Sequence, residues 1–298
     1  MRSNGQIQSG FTLVEMIMVI VITGIIGGIV AIFLKAPIQQ YTDVARRADM
    51  TDIADTALRR MGRDIRTAVP NSIRTVNCPA AASSCMEFLP TKAGGRYRAN
   101  AGAGTLCAAV AGNADGDALS FVSADTCFEV IGAAITFVRG VTDDTSDQIV
   151  VGSTQSDGNP PYDKTFAGNG VRRPYTGATG TLTKVQILGE QFPAFAELPG
   201  QRFLVVPGGQ QAVTYSCEGV GVGANGDGTG VLRRYSGYGF GNPSAATGGA
   251  ALADKLAVCD IGYDAVNQRN GLVDVRLGIT RSNESVSLYH VIHVNNVP

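Results

Sequence analysis

The sequence predicts an α+β fold in which one long N-terminal helix packs on an antiparallel β-sheet with long loops. Residues 11–36 are almost wholly apolar, and residues 37–70 continue with apolar positions near helical spacing. The later chain alternates apolar and polar residues between glycine-rich turns, a pattern typical of a sheet with one buried face. We therefore divide the chain into a polar segment (1–10), an apolar helix (11–36), its amphipathic continuation (37–70) and a β-rich globular domain (71–298).

The apolar run is long enough to cross a lipid bilayer. No charged residue lies between Met16 and Leu34, and a helix of that length rises about 28 Å. One carboxylate, Glu15, lies just inside the start of the run. Because a charge costs about 2.5–3.5 kcal/mol at the centre of a spanning helix and less near its end, Glu15 requires a partner or access to the interface.

The start of this run carries a resemblance to a known family. Residues 10–16 read GFTLVEM after a short polar leader, which resembles the N-terminus of type IV prepilins, a family that includes the pseudopilins of type II secretion. The resemblance implies a pilin-like architecture, cleavage between Gly10 and Phe11 by a prepilin peptidase, and N-methylation of Phe11. It also implies that Glu15 pairs with the new α-amine of Phe11 on a neighbouring subunit, and that the leader stays cytoplasmic.

Two other interpretations of the N-terminal segment stay open. An ordinary single-pass anchor would let Glu15 snorkel to the interface. An ordinary signal peptide would be cleaved after the apolar run, but the residues before Pro37 lack a suitable A-x-A ending. Basic residues do not set the orientation, because Arg2 and Lys35 balance each other across the run.

The amphipathic continuation is predicted to end before Pro70. Its apolar positions recur near helical spacing: Ile38, Tyr41, Ala45, Ala48, Ile53, Ala57, Met61 and Ile65. Two i,i+4 ion pairs in the favourable orientation support it: Asp43/Arg47 and Asp55/Arg59. The charged face is either solvated or in contact with neighbouring helices of a filament.

Strands are predicted wherever apolar or alternating runs lie between turn residues. These runs are 129–138, 148–151, 182–188, 202–206, 212–217, 231–235, 256–263, 272–280 and 285–294. Residues 71–128 are expected to be irregular, and 152–181 and 236–250 to be surface loops. The strand order does not follow from the sequence.

Composition narrows the functional classes. The net charge of −1 gives no sign of nucleic-acid binding at the level of the whole chain. The six cysteines form no C-x-x-C motif and have no neighbouring histidine, which argues against a zinc site. An even number in an exported domain indicates disulfides, and the local pairing is Cys78–Cys85, Cys107–Cys127 and Cys217–Cys259. Six cysteines allow 15 pairings, and free buried thiols remain an alternative.

No motif for catalysis stands out. Residues 221–226 match G-x-G-x-x-G but lead into further turn residues, so we expect a hairpin loop rather than a dinucleotide site. His290 and His293 lie three apart on a predicted strand and face opposite sides, so they cannot share a metal. His290 is expected in the core. Calcium is a weak candidate ligand of oxygen-rich turns: Asn113, Asp115, Asp117, Asp157, Asn225 and Asp227.

Two later segments extend the resemblance. Residues 45–66 and the hairpin formed by 213–215 and 232–235 resemble the minor pseudopilin J family and, more closely, the minor pilins of mannose-sensitive haemagglutinin (MSHA) biogenesis. The resemblance implies a non-enzymatic subunit that needs no cofactor, spans the inner membrane once, holds its C-terminal domain in the periplasm and then joins the pilus, at its tip. The implied partners are other major and minor pilins, bound through the N-terminal helix, and the prepilin peptidase, but no nucleic acid.

Two alternatives to this function remain. One is a minor pseudopilin of type II secretion. The other is an adhesin or ligand-binding domain on a pilin anchor, which would need a surface pocket or exposed loop aromatics. The candidates are Tyr162, Tyr175, Tyr235, Tyr238 and Phe240.

Overall fold

The computed structural model describes residues 10–75, 78–79, 82–100, 105–108, 110–112, 116–155, 160–267 and 270–296. Its longest element is the helix α1 (Leu13–Arg66). The strands follow in chain order: β1 (Ala82–Phe88), β2 (Ala93–Tyr97), β3 (Cys127–Ile131), β4 (Ile135–Phe137), β5 (Gln148–Val151), β6 (Arg172–Pro174), β7 (Gly180–Leu182), β8 (Lys184–Gln186), β9 (Arg202–Val206), β10 (Val213–Glu218), β11 (Gly230–Ser236), β12 (Ala250–Asn267), β13 (Asn270–Arg281) and β14 (Glu284–Asn295).

The strands form two larger sheets and one small ribbon. Sheet 1 has the order β1-β10-β11-β12-β13-β14, sheet 2 has the order β6-β5-β9-β2-β3-β8, and β4 pairs with β7. Every strand pairing among the described residues is antiparallel. The predicted α+β class is therefore confirmed.

Helix α1 belongs to two compact units of the chain. The first unit runs up to Asp49 and the second begins at Met50. In the second unit, the helix buries one face against sheet 1 through Met50, Ala54, Ala57, Leu58, Met61 and Ile65. In the first unit, Ile38 and Tyr41 are exposed, so the buried stripe begins later than the apolar spacing predicts.

The helix ends at Arg66, before the proline that was predicted to limit it. Val69 precedes Pro70, which disfavours the helical conformation, and the Val69 N–H donates instead to the carbonyl of Leu89 at 2.8 Å. Pro37 lies inside the helix and does not end it. The chain thus passes from the helix directly into contact with the segment that follows β1.

Sheet 1 owes its inner face to strict alternation. On β13, Val273, Val275, Leu277 and Ile279 are buried, as the period of two predicts. The turn from β13 to β14 has two residues, Ser282 (φ 52°) and Asn283 (φ 64°). Positive φ at both positions is the geometry of a type I′ hairpin, which matches the twist of the flanking strands.

Sheet 1 also curls back on itself. Lys255 interrupts β12 with a φ of 56°, and the register with β11 shifts at that point. Beyond it, the Ser84 hydroxyl of β1 donates to the carbonyl of Ile261 at 3.1 Å and accepts the Ile261 N–H at 3.0 Å. The far half of β12 is thereby joined to β1 as well as to β13.

The short strands account for most of the wrong strand predictions. β1 and β2 lie inside the region expected to be irregular, and β6 lies inside an expected loop. The predicted strand 129–138 is two strands, because the chain turns at Gly132 with a φ of 117°. Residues 182–188 likewise divide between β7 and β8. Met86 and Phe88 of β1 pack in the core of sheet 1, and the short strands of sheet 2 and the ribbon pack in a second hydrophobic core. Packing rather than local alternation therefore fixes these strands.

Candidate functional site: the N-terminal assembly segment

The residues around the predicted cleavage bond precede the helix. Gly10, Phe11 and Thr12 are not helical, and all three are exposed. The Thr12 hydroxyl accepts the N–H of Glu15 at 3.3 Å, and the Thr12 carbonyl accepts the N–H of Met16 at 3.2 Å. Thr12 is therefore the N-cap of α1. The Gly10–Phe11 bond lies in accessible, non-helical chain, as a peptidase requires of its substrate.

Glu15 occupies the third position of this helix, in a T-x-x-E arrangement. A glutamate at that position fits the capping box, and a negative charge there is favoured by the helix dipole. This local role was not recognised in the sequence, although the spacing of Thr12 and Glu15 signals it. The carboxylate therefore lies at a favourable position in the first turn of its own helix, and its pairing between chains stays a prediction.

The segment after Glu15 is apolar on all sides. Among the described residues, one helix, Leu13–Arg66, is long and apolar enough to cross a membrane, with a mean hydropathy of 2.9 over its most apolar window. Its large side chains in this part are exposed, including Ile20, Ile32 and Phe33. An apolar surface on every side of a helix is typical of one that lies in lipid or among other apolar helices.

The charged part of the helix agrees in part with the predicted ion pairs. Arg59 Nε lies 2.6 Å from Asp55 Oδ2, as predicted. Asp43 Oδ1 also lies 3.5 Å from Nη2 of Arg46, the residue before the Arg47 of the predicted pair. Exposed pairs of this kind contribute a few tenths of a kcal/mol each (about 0.2–0.5).

One aspartate of this helix fastens it to sheet 1. Tyr215 Oη donates to Asp64 Oδ2 at 2.8 Å, and Arg234 Nε donates to the same oxygen at 2.9 Å. Burial and the neighbouring carboxylate raise the pKa of the Tyr215 hydroxyl well above its ordinary value. The two segments that carried the finer resemblance, the helix and the hairpin of β10 and β11, are thus in direct contact.

All six cysteines are paired in the structure. The bonds are Cys78–Cys85, Cys107–Cys127 and Cys217–Cys259. Each cysteine is bonded to its neighbour in the sequence, which is the pairing that the sequence analysis gave. The last bond joins β10 to β12 within the core of sheet 1, where both cysteines are buried.

The glycine-rich match at 221–226 lies in the loop between β10 and β11. The Gly223 N–H donates to the Asp227 carbonyl at 2.8 Å, which closes a tight turn. Asp227 also accepts the Ser282 N–H at 2.8 Å and a bond from Lys255, and these bonds lower its pKa. The loop is therefore a hairpin connection docked on the β13–β14 turn, and no helix follows it as a dinucleotide site would need.

The remaining candidate residues do not converge. His290 is half-buried rather than enclosed in the core, and His293 points to the other face of β14 and is exposed. No group of three potential metal-ligating His, Cys, Asp or Glu residues occurs among the described residues. Asn113, Asp115 and Asp157 lie outside the described residues. The buried Asp117 accepts the Cys107 N–H at 2.7 Å, which is a structural role.

A buried polar cluster between the sheets was not anticipated. Arg74 Nε lies 2.5 Å from Glu87 Oε2, and Tyr238 Oη donates to Glu87 Oε1 at 2.9 Å. Burial raises the pKa of Glu87, an effect that Arg74 opposes. The guanidinium of Arg74 also stacks on the Tyr162 ring at 3.6 Å. No local signal reveals such a cluster, because its members are far apart in the chain.

Comparison with known proteins bears on the first residues. A family model described as the prokaryotic N-terminal methylation motif matches residues 6–31, a small part of the chain. No curated protein and no solved structure matches the chain. The matched segment includes the Gly10–Phe11 bond, the Thr12 cap, Glu15 and most of the apolar run. The motif, the apolar helix and the antiparallel sheets together support a type IV prepilin-like protein, with a general role as a pilus subunit or a secretion pseudopilin.

Proposed function

We propose that this chain is a minor pilin that takes part in assembly of an MSHA-type pilus, in an initiating complex at the filament tip. The methylation motif supports the general class, and residues 45–66 with the hairpin of β10 and β11 resemble the MSHA biogenesis protein MshO. The globular part is larger than that of a typical major pilin, which favours a minor subunit. The proposed role is structural rather than enzymatic and requires no cofactor.

The observation that carries this proposal is the arrangement from Gly10 to Glu15. Cleavage after Gly10 creates an α-amine on Phe11, and Glu15 of an adjacent subunit supplies the opposite charge. In lipid this pair is weakly screened, so it fixes the axial stagger between two apolar helices. Before cleavage the amine does not exist, and the pairing is absent.

We further propose that the subunit lies in the inner membrane and the periplasm. The subunit is held in the inner membrane by the apolar part of α1 until it is extracted into the filament. Its β-rich domain, residues 71–298, lies in the periplasm, where disulfides form and persist. The three disulfides of the structure support this compartment.

An adhesin on a pilin anchor receives less support. Of the five candidate aromatics, Tyr162, Tyr175 and Tyr235 are buried. The Tyr238 hydroxyl donates a hydrogen bond to Glu87, and the Arg172 guanidinium stacks on the Phe240 ring at 3.8 Å from the ring centroid. Tyr238 and Phe240 are half-buried, so none of the five side chains is fully exposed. A type II secretion pseudopilin would share the methylation motif, and the neighbouring genes distinguish a pilus locus from a secretion locus.

Three substitutions at Glu15 test the proposal. Glu15→Ala should leave cleavage intact and reduce pilus assembly, measured as sheared filaments per cell. Glu15→Gln is the informative variant, because glutamine retains the capping box but cannot form the ion pair. Glu15→Gln should therefore assemble as poorly as Glu15→Ala, while Glu15→Asp should retain part of the wild-type level. Wild-type assembly by Glu15→Gln would refute the ion pair and leave the capping role alone.

A further inference from the structure

Strand β14 is the last strand of sheet 1, and no strand of the described residues pairs with its outer edge. It pairs with β13 from Glu284 to Asn295 without a register shift. Within this range there is no proline, lysine or arginine. Natural sheets commonly protect such edges with those residues, with bulges or with short strands. A regular strand of 12 residues that lacks these devices is a surface prepared for pairing with another chain.

The hairpin geometry specifies which backbone groups face this edge. Arg281 and Glu284 flank a two-residue turn, so they form a hydrogen-bonded pair and such pairs recur at every second residue. The even-numbered residues of β14 therefore bond to β13. The N–H and C=O groups of Ser287, Tyr289 and Val291 point to the free edge.

A basic groove runs beside this edge, between β14 and the last turns of α1. Its volume is about 630 Å³, and it is lined by Asp55, Arg59, Gly62, Arg63, Arg66 and His290. Asp55 is engaged by Arg59. Arg63 and Arg66 are exposed, and neither forms an ion pair within the described part of the chain. The groove thus presents two uncompensated positive charges next to unpaired strand edge.

We propose that β14 accepts an extended, acidic segment of a different prepilin-like subunit, which adds to sheet 1 as a further antiparallel or parallel strand. The free N–H and C=O groups of the edge supply the main-chain hydrogen bonds, as in other cases of strand addition. Carboxylates on alternate residues of the incoming segment face the groove and neutralise Arg63 and Arg66. This inference rests on the proposed function, because it takes the partner from the subunits of the same filament.

A second copy of this chain fits the edge less well. Antiparallel pairing of two β14 strands places a twofold axis perpendicular to the sheet. The axis would reverse the part of α1 that packs on the sheet, residues 50–66, in one copy relative to the other. Subunits anchored in one membrane by this helix run in the same direction, which disfavours antiparallel pairing with a second copy. Glu284 is also the only carboxylate that β14 itself would offer to the groove.

Site-specific photo-crosslinking in the host membrane tests the proposal with the full-length chain. A photoreactive amino acid at Ser287, on the free edge, should give an adduct with another prepilin-like subunit, and mass spectrometry should place it in a segment rich in aspartate or glutamate. Val291→Pro removes an edge N–H without removing a bond to β13 and should abolish the adduct. Val291→Ala keeps that N–H and is the matched control.

Two charge-reversal variants test the groove separately from the strand edge. Arg63→Glu should lower the adduct at least about tenfold, because it places like charges against the incoming carboxylates. Arg60→Glu makes the same change on the same helix but outside the groove, beside Pro90 and Gln210, and should leave the adduct unchanged. Each variant is scored only after its disulfide mass and melting temperature match those of wild type. If Val291→Pro fails this check, Tyr289→Lys replaces it as the variant that blocks the edge.

Four outcomes would overturn the proposal. A folded chain could give no adduct, or the adduct could persist in Val291→Pro or its replacement. The adduct could also form with a second copy of this chain, or with lipid or nucleic acid alone. The adduct is measured in the membrane before assembly. Its absence is therefore distinguishable from failure of the Glu15 pairing, which is scored by filament yield.

Discussion

Tyr215 donates a hydrogen bond of 2.8 Å to Asp64, and this contact joins strand β10 to the last turns of helix α1. Arg234 of β11 donates to the same carboxylate oxygen at 2.9 Å. A single side chain thus holds the end of the helix against two neighbouring strands. The candidate assembly segment lies at the start of the same helix, and this contact holds the other end of the helix to the folded domain.

Loss of this carboxylate should weaken the fold. We expect Asp64→Ala to lower the free energy of unfolding by about 2–3 kcal/mol, since it leaves the Tyr215 hydroxyl and the Arg234 guanidinium without their acceptor. Urea denaturation of the full-length protein in detergent measures the change. Asp52→Ala, on an exposed position of the same helix, is the control and should change stability by less than about 0.5 kcal/mol. Equal effects of the two substitutions would contradict this account.

The disulfides should contribute unequally. Cys217 and Cys259 are 42 residues apart, whereas Cys78 and Cys85 are 7 apart. Because a longer closed loop restricts the unfolded chain more strongly, we expect the double alanine variant of the first pair to lose about 4 kcal/mol and that of the second about 2 kcal/mol. Denaturation under non-reducing conditions measures both. A larger loss for the short loop would refute the ranking.

Tyr235 predicts a dependence of stability on alkaline pH. Its hydroxyl donates to Glu218 Oε1 at 2.6 Å, and burial followed by this hydrogen bond raises the pKa of Tyr235 from 10.0 to about 12. The folded state favours the protonated phenol, so the contribution is complete below pH 10 and is lost as the pH rises towards 12. The stability difference between wild type and Tyr235→Phe should be constant from pH 7 to about pH 9 and shrink above pH 10. A difference that stays constant through that range would contradict this assignment.

The parts of the fold that follow local periodicity could be predicted from the sequence. β13 and β14 alternate strictly, and the helix pattern is long, so both were recognised. β1 and β2 were missed. In β2, Ala93, Gly94 and Gly95 give no apolar period, and the pairing with β9 defines the strand. The helix stripe was displaced, because exposed apolar residues such as Tyr41 share the spacing of buried ones.

The residues of the candidate site could be predicted from the sequence, whereas the tertiary contacts around the helix could not. Gly10, Phe11 and Glu15 are close enough in the chain to form a motif that the sequence shows directly. The contact of Asp64 with Tyr215 spans 151 residues, and the groove beside β14 depends on how a strand near the C-terminus meets a helix near the N-terminus. Such relationships follow from tertiary packing and cannot be derived from spacing alone.

The cleavage bond can be tested through its glycine. Gly10→Val should block cleavage, because the peptidase motif requires the small residue immediately before the bond, and the uncleaved chain should stay in the membrane with its leader attached. Immunoblotting of membrane fractions measures the size difference. Gly24→Val is the control, because Gly24 lies in the same segment with open space where a β-carbon would stand, and this variant should be cleaved normally. Normal cleavage of Gly10→Val would contradict the assigned bond.

The most direct test of the account is the N-terminus of the mature protein. Intact mass and N-terminal fragmentation of the chain extracted from its host membrane should show an N-terminus at Phe11, one methyl group on the Phe11 amine and three disulfides. Expression in cells that lack a prepilin peptidase should leave residues 1–10 in place. A mature chain that keeps its leader in the presence of the peptidase, or that begins after the apolar run, would contradict the prepilin-like assignment.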